Sequence, residues 1–155
     1  MCGRFAVTLP PDAMAQLFDA APANDLAPVP NYNVCPTVAV NVCSLGESGR
    51  RLTAMRWGFV PHWYKTPTDG PLLINARAET IAEKPAFRAA ARERRCLIAM
   101  DGFYEWDRAG DRKLPWFIHR RDEAPMVVAG IWQDWERGED RLTACAIVTT
   151  EAEGQ

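Results

Sequence analysis

Several residue types are scarce in this chain, and each scarcity excludes a class of protein. The chain has two histidines, and its five cysteines are scattered without a Cys-x-x-Cys pair, so the spacing of a structural zinc site is absent. An odd, scattered set of cysteines also argues against a disulfide scaffold. No apolar run approaches the roughly 18 residues of a membrane span, and the first residues lack the features of a signal peptide. These absences predict a cytoplasmic protein with free thiols.

Lysine is scarce too, with three residues against 15 arginines. The 18 basic and 20 acidic residues leave a formal net charge of −2, so the whole-chain charge does not indicate a nucleic-acid binder. Arginine suits planar, bidentate contacts with phosphate, and a local cationic groove therefore remains open. The length of 155 residues and the 48% hydrophobic content predict one globular domain.

Two helices are predicted. Asp12 can cap a first helix in which Met14, Leu17 and Phe18 share one face. A second helix is predicted over residues 83–94, with a proline in its first turn, where helices tolerate it. The 12 prolines spread along the chain are typical of short strands and irregular connections rather than of a helix bundle.

The remaining apolar segments alternate with polar residues or form short buried runs, as strands do. Six strands are predicted, over residues 38–42, 52–57, 96–100, 116–119, 126–132 and 142–149. Ala109-Gly110 and Gly138 mark two hairpin turns. Strands in this number, with two helices and long proline-bearing loops, indicate an α+β fold whose antiparallel sheet is strongly bent or barrel-like.

Cys2 is the first candidate for chemistry. Loss of the initiator methionine would give it a free α-amine beside its thiol, and such a 1,2-aminothiol condenses with an aldehyde to an imine and then a thiazolidine ring. An α-amine with a pKa of about 7.7–8.0 is partly unprotonated at neutral pH, and a thiol with a pKa of about 8.5 can be activated by its surroundings. Taken alone, an unstructured terminal cysteine is the simpler interpretation.

Two polar segments follow apolar runs. The segment over residues 72–80 begins with an apolar run and continues with Asn75, which could orient a nucleophile, and Arg77, which could clamp a phosphate. A strand that leads into a polar turn explains them equally well. Glu105 stands between aromatics, where desolvation raises a carboxyl pKa and suits it to proton transfer, and Trp106 offers a flat face to a base. A buried salt bridge from Glu105 to an arginine is the structural alternative.

The loop over residues 57–64 is rich in aromatic side chains. These rings, Trp63 among them, could stack on bases or wedge between them, or they could belong to the core. His62 in this loop and His119 in a predicted strand are the only imidazoles, and neither has a partner that indicates catalysis.

Taken together and in this order, these segments resemble the SRAP family (SOS-response-associated peptidase), the abasic site processing proteins. The matching stretches span essentially the whole chain: Met1-Cys2-Gly3-Arg4-Phe5, Tyr32-Asn33-Val34-Cys35-Pro36, Arg56-Trp57-Gly58-Phe59-Val60-Pro61, Asn75-Ala76-Arg77-Ala78-Glu79-Thr80, Gly102-Phe103-Tyr104-Glu105-Trp106 and Ile147-Val148-Thr149. A cysteine at position 2 combined with the Asn-Ala-Arg and Gly-Phe-Tyr-Glu-Trp stretches is highly specific.

The resemblance implies a bent-sheet pseudo-barrel with flanking helices, in a protein that recognises abasic sites in single-stranded DNA and bonds to them covalently. It implies autocatalytic removal of the residue before Cys2, which then forms a thiazolidine with the ring-opened sugar. Asn75 matches the asparagine that positions this terminus, and Glu105 matches the carboxylate that transfers protons. The DNA-binding residues implied in the same way are Arg4, Arg77, Trp63, Trp106 and Thr149.

The C-terminal end departs from the family pattern. Family members carry a His-x-Arg-Met-Pro-like segment shortly after the Ile-Val-Thr strand, and this chain stops at residues 151–155 before such a histidine. We therefore expect one domain over residues 1–155, truncated at its C-terminus and slower in opening the sugar ring. The resemblance implies no metal or organic cofactor. The expected partner is single-stranded DNA with abasic sites, and we expect a monomer that does not contact membranes.

Two other functions remain open. Cys2 could be the nucleophile of an N-terminal amidohydrolase with Asn75 in its oxyanion hole, which would turn over small amides without DNA. A reversible single-strand-binding module that uses arginines and tryptophans would instead show salt-sensitive binding that Cys2→Ser leaves unchanged.

Overall fold

The structure is a computed structural model that describes residues 1–152. Its helices are α1 (Pro11–Phe18) and α2 (Arg88–Glu93). Its strands are β1 (Phe5–Val7), β2 (Ala21–Pro22), β3 (Asn31–Val34), β4 (Ala39–Gly46), β5 (Gly49–Trp57), β6 (Asn75–Arg77), β7 (Arg95–Met100), β8 (Gly102–Asp107), β9 (Leu114–His119), β10 (Met126–Arg137) and β11 (Asp140–Thr149).

Within these residues, seven strands form one sheet in the order β2-β5-β4-β7-β10-β11-β6. The neighbours from β5 through β4, β7 and β10 to β11 are antiparallel. A parallel pairing of β5 with β11, with Ala144 opposite Arg56, closes these five strands into a barrel. Closure removes the free edges of the ring. The predicted α+β fold with a barrel-like sheet is confirmed.

The barrel core continues into the rest of the protein through Trp57. This side chain is fully buried and belongs to the same apolar cluster as Ile98 and Ile147. Its indole N–H donates to the carbonyl oxygen of Ile74 at 3.0 Å. Its ring packs on Phe5 of β1, with centroids 5.0 Å apart. One residue therefore ties the barrel to a second sheet and to the segment before β6.

The second sheet has four strands in the order β3-β1-β8-β9. Its outer pair, β8 and β9, is a hairpin whose connection contains the predicted turn at Ala109-Gly110. Gly102 at the start of β8 approaches the carbonyl oxygen of Ile118 so closely that a β-carbon would collide with it. Glycine therefore permits the close packing of the hairpin. All residues of β9 are exposed, and the strand forms an open edge of its sheet.

Both helices differ from the prediction at their ends. No side chain caps α1, and Asp12 lies in its first turn rather than at its N-cap, which is Pro10. Met14 and Phe18 are buried, but Leu17 is 48% exposed because the buried stripe of this short helix is narrower than predicted. Residues 83–87 form turns instead of helix, so α2 has only six residues.

All six predicted strands are present, as β4, β5, β7, β9, β10 and β11. Gly138 joins β10 to β11 with φ at +57°, a conformation that glycine adopts without strain. The strands that the sequence did not predict are β1, β2, β3, β6 and β8. Most of them are two to four residues long, too short to show alternation, and pairing with distant segments defines them.

Candidate functional site

Strand register brings the N-terminus to Glu105. Strand β1 pairs antiparallel with β8, and the Tyr104 N–H donates to the Arg4 carbonyl oxygen at 2.9 Å. Continuing this register runs the first three residues alongside Glu105. The Met1 ammonium donates to Glu105 Oε1 at 2.6 Å, and the Glu105 side chain remains 36% exposed. The sheet thus places an amine and a carboxylate in direct contact.

Cys2 lies beneath this ion pair and is only 7% exposed, within the core cluster that includes Met100. Burial, followed by the negative charge of Glu105, raises the pKa of the Cys2 thiol from its usual 9.0 to about 11. The positive terminus and the Arg4 backbone oppose this shift without cancelling it. The thiol is therefore protonated at neutral pH. The interpretation of Cys2 as an unstructured terminal residue is wrong.

A cavity of about 590 Å³ opens beside the terminus and is lined by Met1, Gly3, Leu72, Leu73, Ile74, Asn75, Glu105, Trp106 and Arg108. Asn75 reaches it because β6 lies parallel to β11, with Asn75 opposite Ile147. The Asn75 Nδ2 donates to the carbonyl oxygen of Ile74 at 3.1 Å. This bond engages the amide nitrogen of a side chain that lines the same cavity as Met1 and Glu105.

A second cavity, of about 500 Å³, shares Met1 and Glu105 with the first and also reaches Cys2. Thr149 at the end of β11 lines it. Most of its remaining wall is apolar and comes from Met100, Phe103, Ile118, Val128, Ile147 and Val148. The terminus therefore lies where two cavities meet, of which the second is the more apolar.

Arg4 and Arg77 are both held by neighbouring polar side chains. Arg4 Nη1 donates to Asn33 Oδ1 at 3.2 Å. Arg77 is half exposed and forms ion pairs with Glu79 at 3.7 Å and Glu151 at 3.4 Å. Neither arginine lines the two cavities. Exposed ion pairs contribute little to stability, so a phosphate can replace the carboxylates at small cost.

The structure places the two predicted stacking tryptophans differently. Trp106 lines the first cavity and is 37% exposed. Its ring lies 6.5 Å from that of Tyr104, on the sheet face opposite to Glu105, as strand alternation requires. Trp63 is 46% exposed in the loop after β5, edge-on to His62 at 5.1 Å, and lines neither cavity. Trp106 thus lies beside the terminus, and Trp63 lies apart from both cavities.

The burial and the contacts of these side chains decide between the alternatives that the sequence left open. Trp57 and Phe59 are almost fully buried, so these two rings belong to the core and cannot stack on bases. Glu105 contacts the terminal ammonium, and the interpretation of Glu105 as a buried partner of an arginine is wrong. Residues 75–77 do form a strand that leads into a turn, and that strand also carries Asn75 to the cavity wall.

Sequence reasoning missed Trp116 and Arg108. Trp116 in β9 lies directly opposite Glu105 in β8 and is 61% exposed. Opposed residues of antiparallel strands share a sheet face. Arg108 lines the first cavity. The predicted turn at Ala109-Gly110 was a partial signal: counting outward from it pairs residue 105 with residue 114, two positions short of the observed partner, Trp116.

Residues 1–152 contain no group of three or more His, Cys, Asp or Glu side chains able to hold a metal ion. In the same part of the chain, no helix is both long and apolar enough to cross a membrane. The site itself offers an amine, a thiol, a carboxylate and an amide.

Comparison with known proteins relates the chain to one family. The model of the SOS response associated peptidase (SRAP) family matches residues 1–155. The abasic site processing protein YoaM of Bacillus subtilis (strain 168) is 38% identical over 156 residues, which cover 97% of this chain and 68% of the relative. The abasic site processing protein YedK of Escherichia coli (strain K12) is 36% identical over 158 residues, which cover 99% and 69%.

Solved structures share the fold. A crystal structure of a protein from Bacteroides thetaiotaomicron matches with a TM-score of 0.85 at 23% identity, over 97% of this chain and 68% of that one. This likeness supports the architecture of a barrel with a second, open sheet.

Proposed function

The chain belongs to the SOS response associated peptidase family, and from this premise we propose that it recognises abasic sites in DNA and bonds to them covalently through Cys2. The observation that carries the proposal is the 2.6 Å ion pair between the amino terminus and Glu105, which line one cavity together with the buried Cys2. Thiazolidine formation needs an amine, a thiol and a group that moves protons. The relatives named abasic site processing proteins support the choice of substrate.

The first step is removal of Met1, which gives the terminal amine to Cys2. Cys2 Sγ attacks the Met1 carbonyl carbon, and the peptide nitrogen leaves with a proton to become the Cys2 amine. Water then hydrolyses the thioester and releases methionine. The contact between Glu105 and the terminus supports this step, because the carboxylate is within reach of the protons that move.

The second step is capture of the lesion. The Cys2 amine attacks the aldehyde carbon of the ring-opened deoxyribose. Glu105 moves a proton from nitrogen to oxygen to give a carbinolamine, and a second proton, taken up from solvent, converts the hydroxyl group to water, which leaves an iminium ion. The Cys2 thiol adds to the iminium carbon and releases its proton through Glu105, which closes the thiazolidine ring. One water molecule leaves for each adduct formed.

The raised pKa of the Cys2 thiol in the Met1-containing chain means that Glu105 must take the thiol proton when Sγ attacks Met1. In the capture step the amine reacts first, and a thiol that is still protonated resists oxidation until then. The positive iminium beside the sulfur then favours loss of the thiol proton. Asn75 supports the geometry, since it lines the same cavity as Glu105 and offers its amide oxygen to the amine.

Most of the DNA contacts in this proposal come from residues around the terminus, whereas Trp63, which lies apart from both cavities, contacts a more distant part of the strand. Arg4 and Arg77 hold phosphates, with Thr149 beside them, and the exposed faces of Trp63 and Trp106 stack on bases. Stacking on unpaired bases favours a single strand, because a paired strand hides these faces. Ring closure by the thiol also determines whether the DNA strand is cleaved. An imine without ring closure permits β-elimination, so the thiazolidine protects the DNA from cleavage.

The test mixes Met-free protein with a single-stranded oligonucleotide that carries one abasic site. We expect a heat-stable, shifted band on a denaturing gel and an intact mass equal to protein plus DNA less one water. Cys2→Ala should give no stable adduct, and neither should the oligonucleotide after borohydride reduction of its aldehyde. Failure of the Met-free protein to form the adduct, or an equally stable adduct on Cys2→Ala, contradicts the proposal.

Cys35→Ala is the matched control for loss of a thiol. Cys35 is partly exposed, its Sγ interacts with the carbonyl oxygen of Asn33 at 3.4 Å, and it lines neither cavity, so adduct formation should equal that of the wild type. Turnover of small amides without DNA would instead favour the amidohydrolase. A complex that high salt dissociates fully would favour reversible binding.

A further inference from the structure

The β8–β9 hairpin, residues 102–119, is a large exposed feature beside the terminus, and the chemistry above uses only Glu105 and Trp106 of it. We propose that Trp116 and Arg108 of this hairpin form a second arm of the DNA site. Trp116 stacks on a base next to the abasic site, and Arg108 contacts the adjoining phosphate. This inference rests on the proposed function.

Trp116 lies on the reactive face of the sheet. It is directly opposite Glu105 in the ladder, and the next pair on the same face is Phe103 with Ile118. Both members of that pair line the cavity that reaches Cys2. The backbones of Trp116 and Glu105 are therefore one strand spacing, about 5 Å, apart, so a base stacked on Trp116 is beside the residue whose carboxylate the proposed reaction uses.

The exposure of Trp116 contrasts with the rings on the opposite face of the hairpin. There, Tyr104 lies 5.1 Å from Phe117, and Phe117 stacks on His119 at 5.6 Å. Trp116 is 61% exposed, and within residues 1–152 no aromatic ring packs against it. A large, rigid aromatic surface left in water next to a reaction site is suited to stacking on an unpaired base.

The hairpin tip, residues 107–113, carries three cations and two carboxylates, and this excess of positive charge favours a polyanion as the partner. Arg108, Arg112 and Lys113 lie in the connection between the two strands, and among the described residues none of them forms an ion pair. Asp107 bonds instead to the backbone N–H of Ala109 at 2.8 Å. Cations beside an exposed tryptophan match the phosphates and bases of a single strand.

An open edge strand such as β9 could also pair with the same strand of a second copy of this chain. The charges that flank β9 disfavour this pairing. Antiparallel pairing of β9 with its copy would set Arg112 and Lys113 of one chain beside Arg120 and Arg121 of the other. Like charges directly opposed across strands are destabilising. A nucleic acid strand carries no such penalty.

The test measures the affinity for a single-stranded oligonucleotide containing tetrahydrofuran, an abasic analogue that has no aldehyde and cannot form the adduct. By fluorescence anisotropy, Trp116→Ala should weaken binding roughly 5- to 100-fold, the range found for loss of one base-stacking ring. Trp116→Tyr should restore most of the affinity. The control Phe117→Ala, on the same strand but the opposite face, removes a ring that packs on Tyr104 and should weaken binding much less than Trp116→Ala does.

Arg108→Gln tests the phosphate contact. Binding should weaken about threefold, and the slope of log Kd against log salt concentration should fall by about one, since one phosphate contact is lost. Wild-type affinity in Trp116→Ala, or equal losses in Trp116→Ala and Phe117→Ala, would overturn the inference. Adduct formation by the wild-type protein is measured separately, so failure of the proposed function is distinguished from failure of this arm.

Discussion

The barrel and the four-stranded sheet differ most in burial. Strand β4 of the barrel has five consecutive buried residues, 40–44, whereas the edge strand β9 of the second sheet has none. The barrel is closed by the β5–β11 pairing, and the second sheet ends in an open hairpin. The closed part therefore fixes positions by packing, and the open part leaves side chains accessible to a large ligand.

The candidate site lies where these two regions meet, and this position explains its chemistry. Cys2 is buried in the core cluster, which keeps its thiol neutral, whereas Glu105 stays partly exposed on the open sheet and keeps contact with the terminal amine. A site wholly inside the barrel would exclude DNA. A site wholly on the open sheet would leave the thiol ionised more readily and exposed to oxidation.

Replacing the residue that joins the two regions should have the largest effect. Trp57→Ala removes a fully buried ring, its hydrogen bond to Ile74 and its packing on Phe5. We expect the free energy of unfolding to fall by about 3–5 kcal/mol, as for other buried aromatics. Urea denaturation measures it. The matched control is Trp116→Ala on the open sheet, where a loss within about 0.5 kcal/mol is expected. Equal losses of unfolding free energy in the two variants would contradict the contrast between a closed, packed barrel and an open sheet.

The next prediction separates chemistry from stability. Glu105→Gln keeps the size of the side chain but cannot accept a proton, so the rate of adduct formation should fall about 10²- to 10⁴-fold. Stability should change by less than about 1 kcal/mol, because the lost ion pair is partly exposed. Single-turnover gels give the rate. Glu136→Gln, which breaks an exposed 3.7 Å pair with Arg141, is the control and should react normally. A stable, fully active Glu105→Gln protein would exclude Glu105 from proton transfer.

The sequence predicted the barrel far better than the second sheet, and the reason is length. Segments such as residues 126–132 and 142–149 show enough apolar pattern to identify a strand without knowledge of its neighbours. Strands β1 and β6 have three residues each, and only their pairing partners, β3 and β8 for one and β11 for the other, make them strands. The prediction that Leu17 shares the buried face of α1 was wrong for a related reason, because a helix of eight residues buries only a narrow apolar stripe.

The residues of the candidate site also divide into those that the local sequence identified and those whose surroundings depend on strand pairing. Residue types and their order marked Cys2, Asn75 and Glu105, whose chemistry is unusual enough to notice in isolation. The burial of Cys2 and the exposure of Trp116 depend on which strands lie beside them. No local pattern contains that information. The predicted turn at residues 109–110 located the hairpin but missed the partner of residue 105 by two positions, because the ladder is centred between residues 110 and 111.

Two of the four buried thiols, those of Cys2 and Cys96, test the comparison between the two regions with the smallest expected effect. Burial raises the pKa of Cys2 to about 11 and that of Cys96, inside the barrel, to about 12. Iodoacetamide attacks only thiolates, so alkylation of Cys2 in the Met1-containing protein should rise about tenfold per pH unit from pH 7 to 10 and precede that of Cys96. Glu105→Gln should accelerate Cys2 alone, because it removes a nearby negative charge. Peptide mass spectrometry follows each cysteine separately.

The raised pKa values of Cys2 and Cys96 also determine how the stability of the fold depends on pH. Each thiol has a higher pKa in the folded protein than its ordinary 9.0, so its contribution to stability is complete below pH 9 and is lost as the pH rises towards 11 for Cys2 and 12 for Cys96. The alkylation series therefore stays below pH 10, where the fold still holds both residues in place. Equal rates for the two thiols in that range would mean that the terminus is as well packed as the barrel, and the distinction between a closed, rigid region and an open, reactive one would fail.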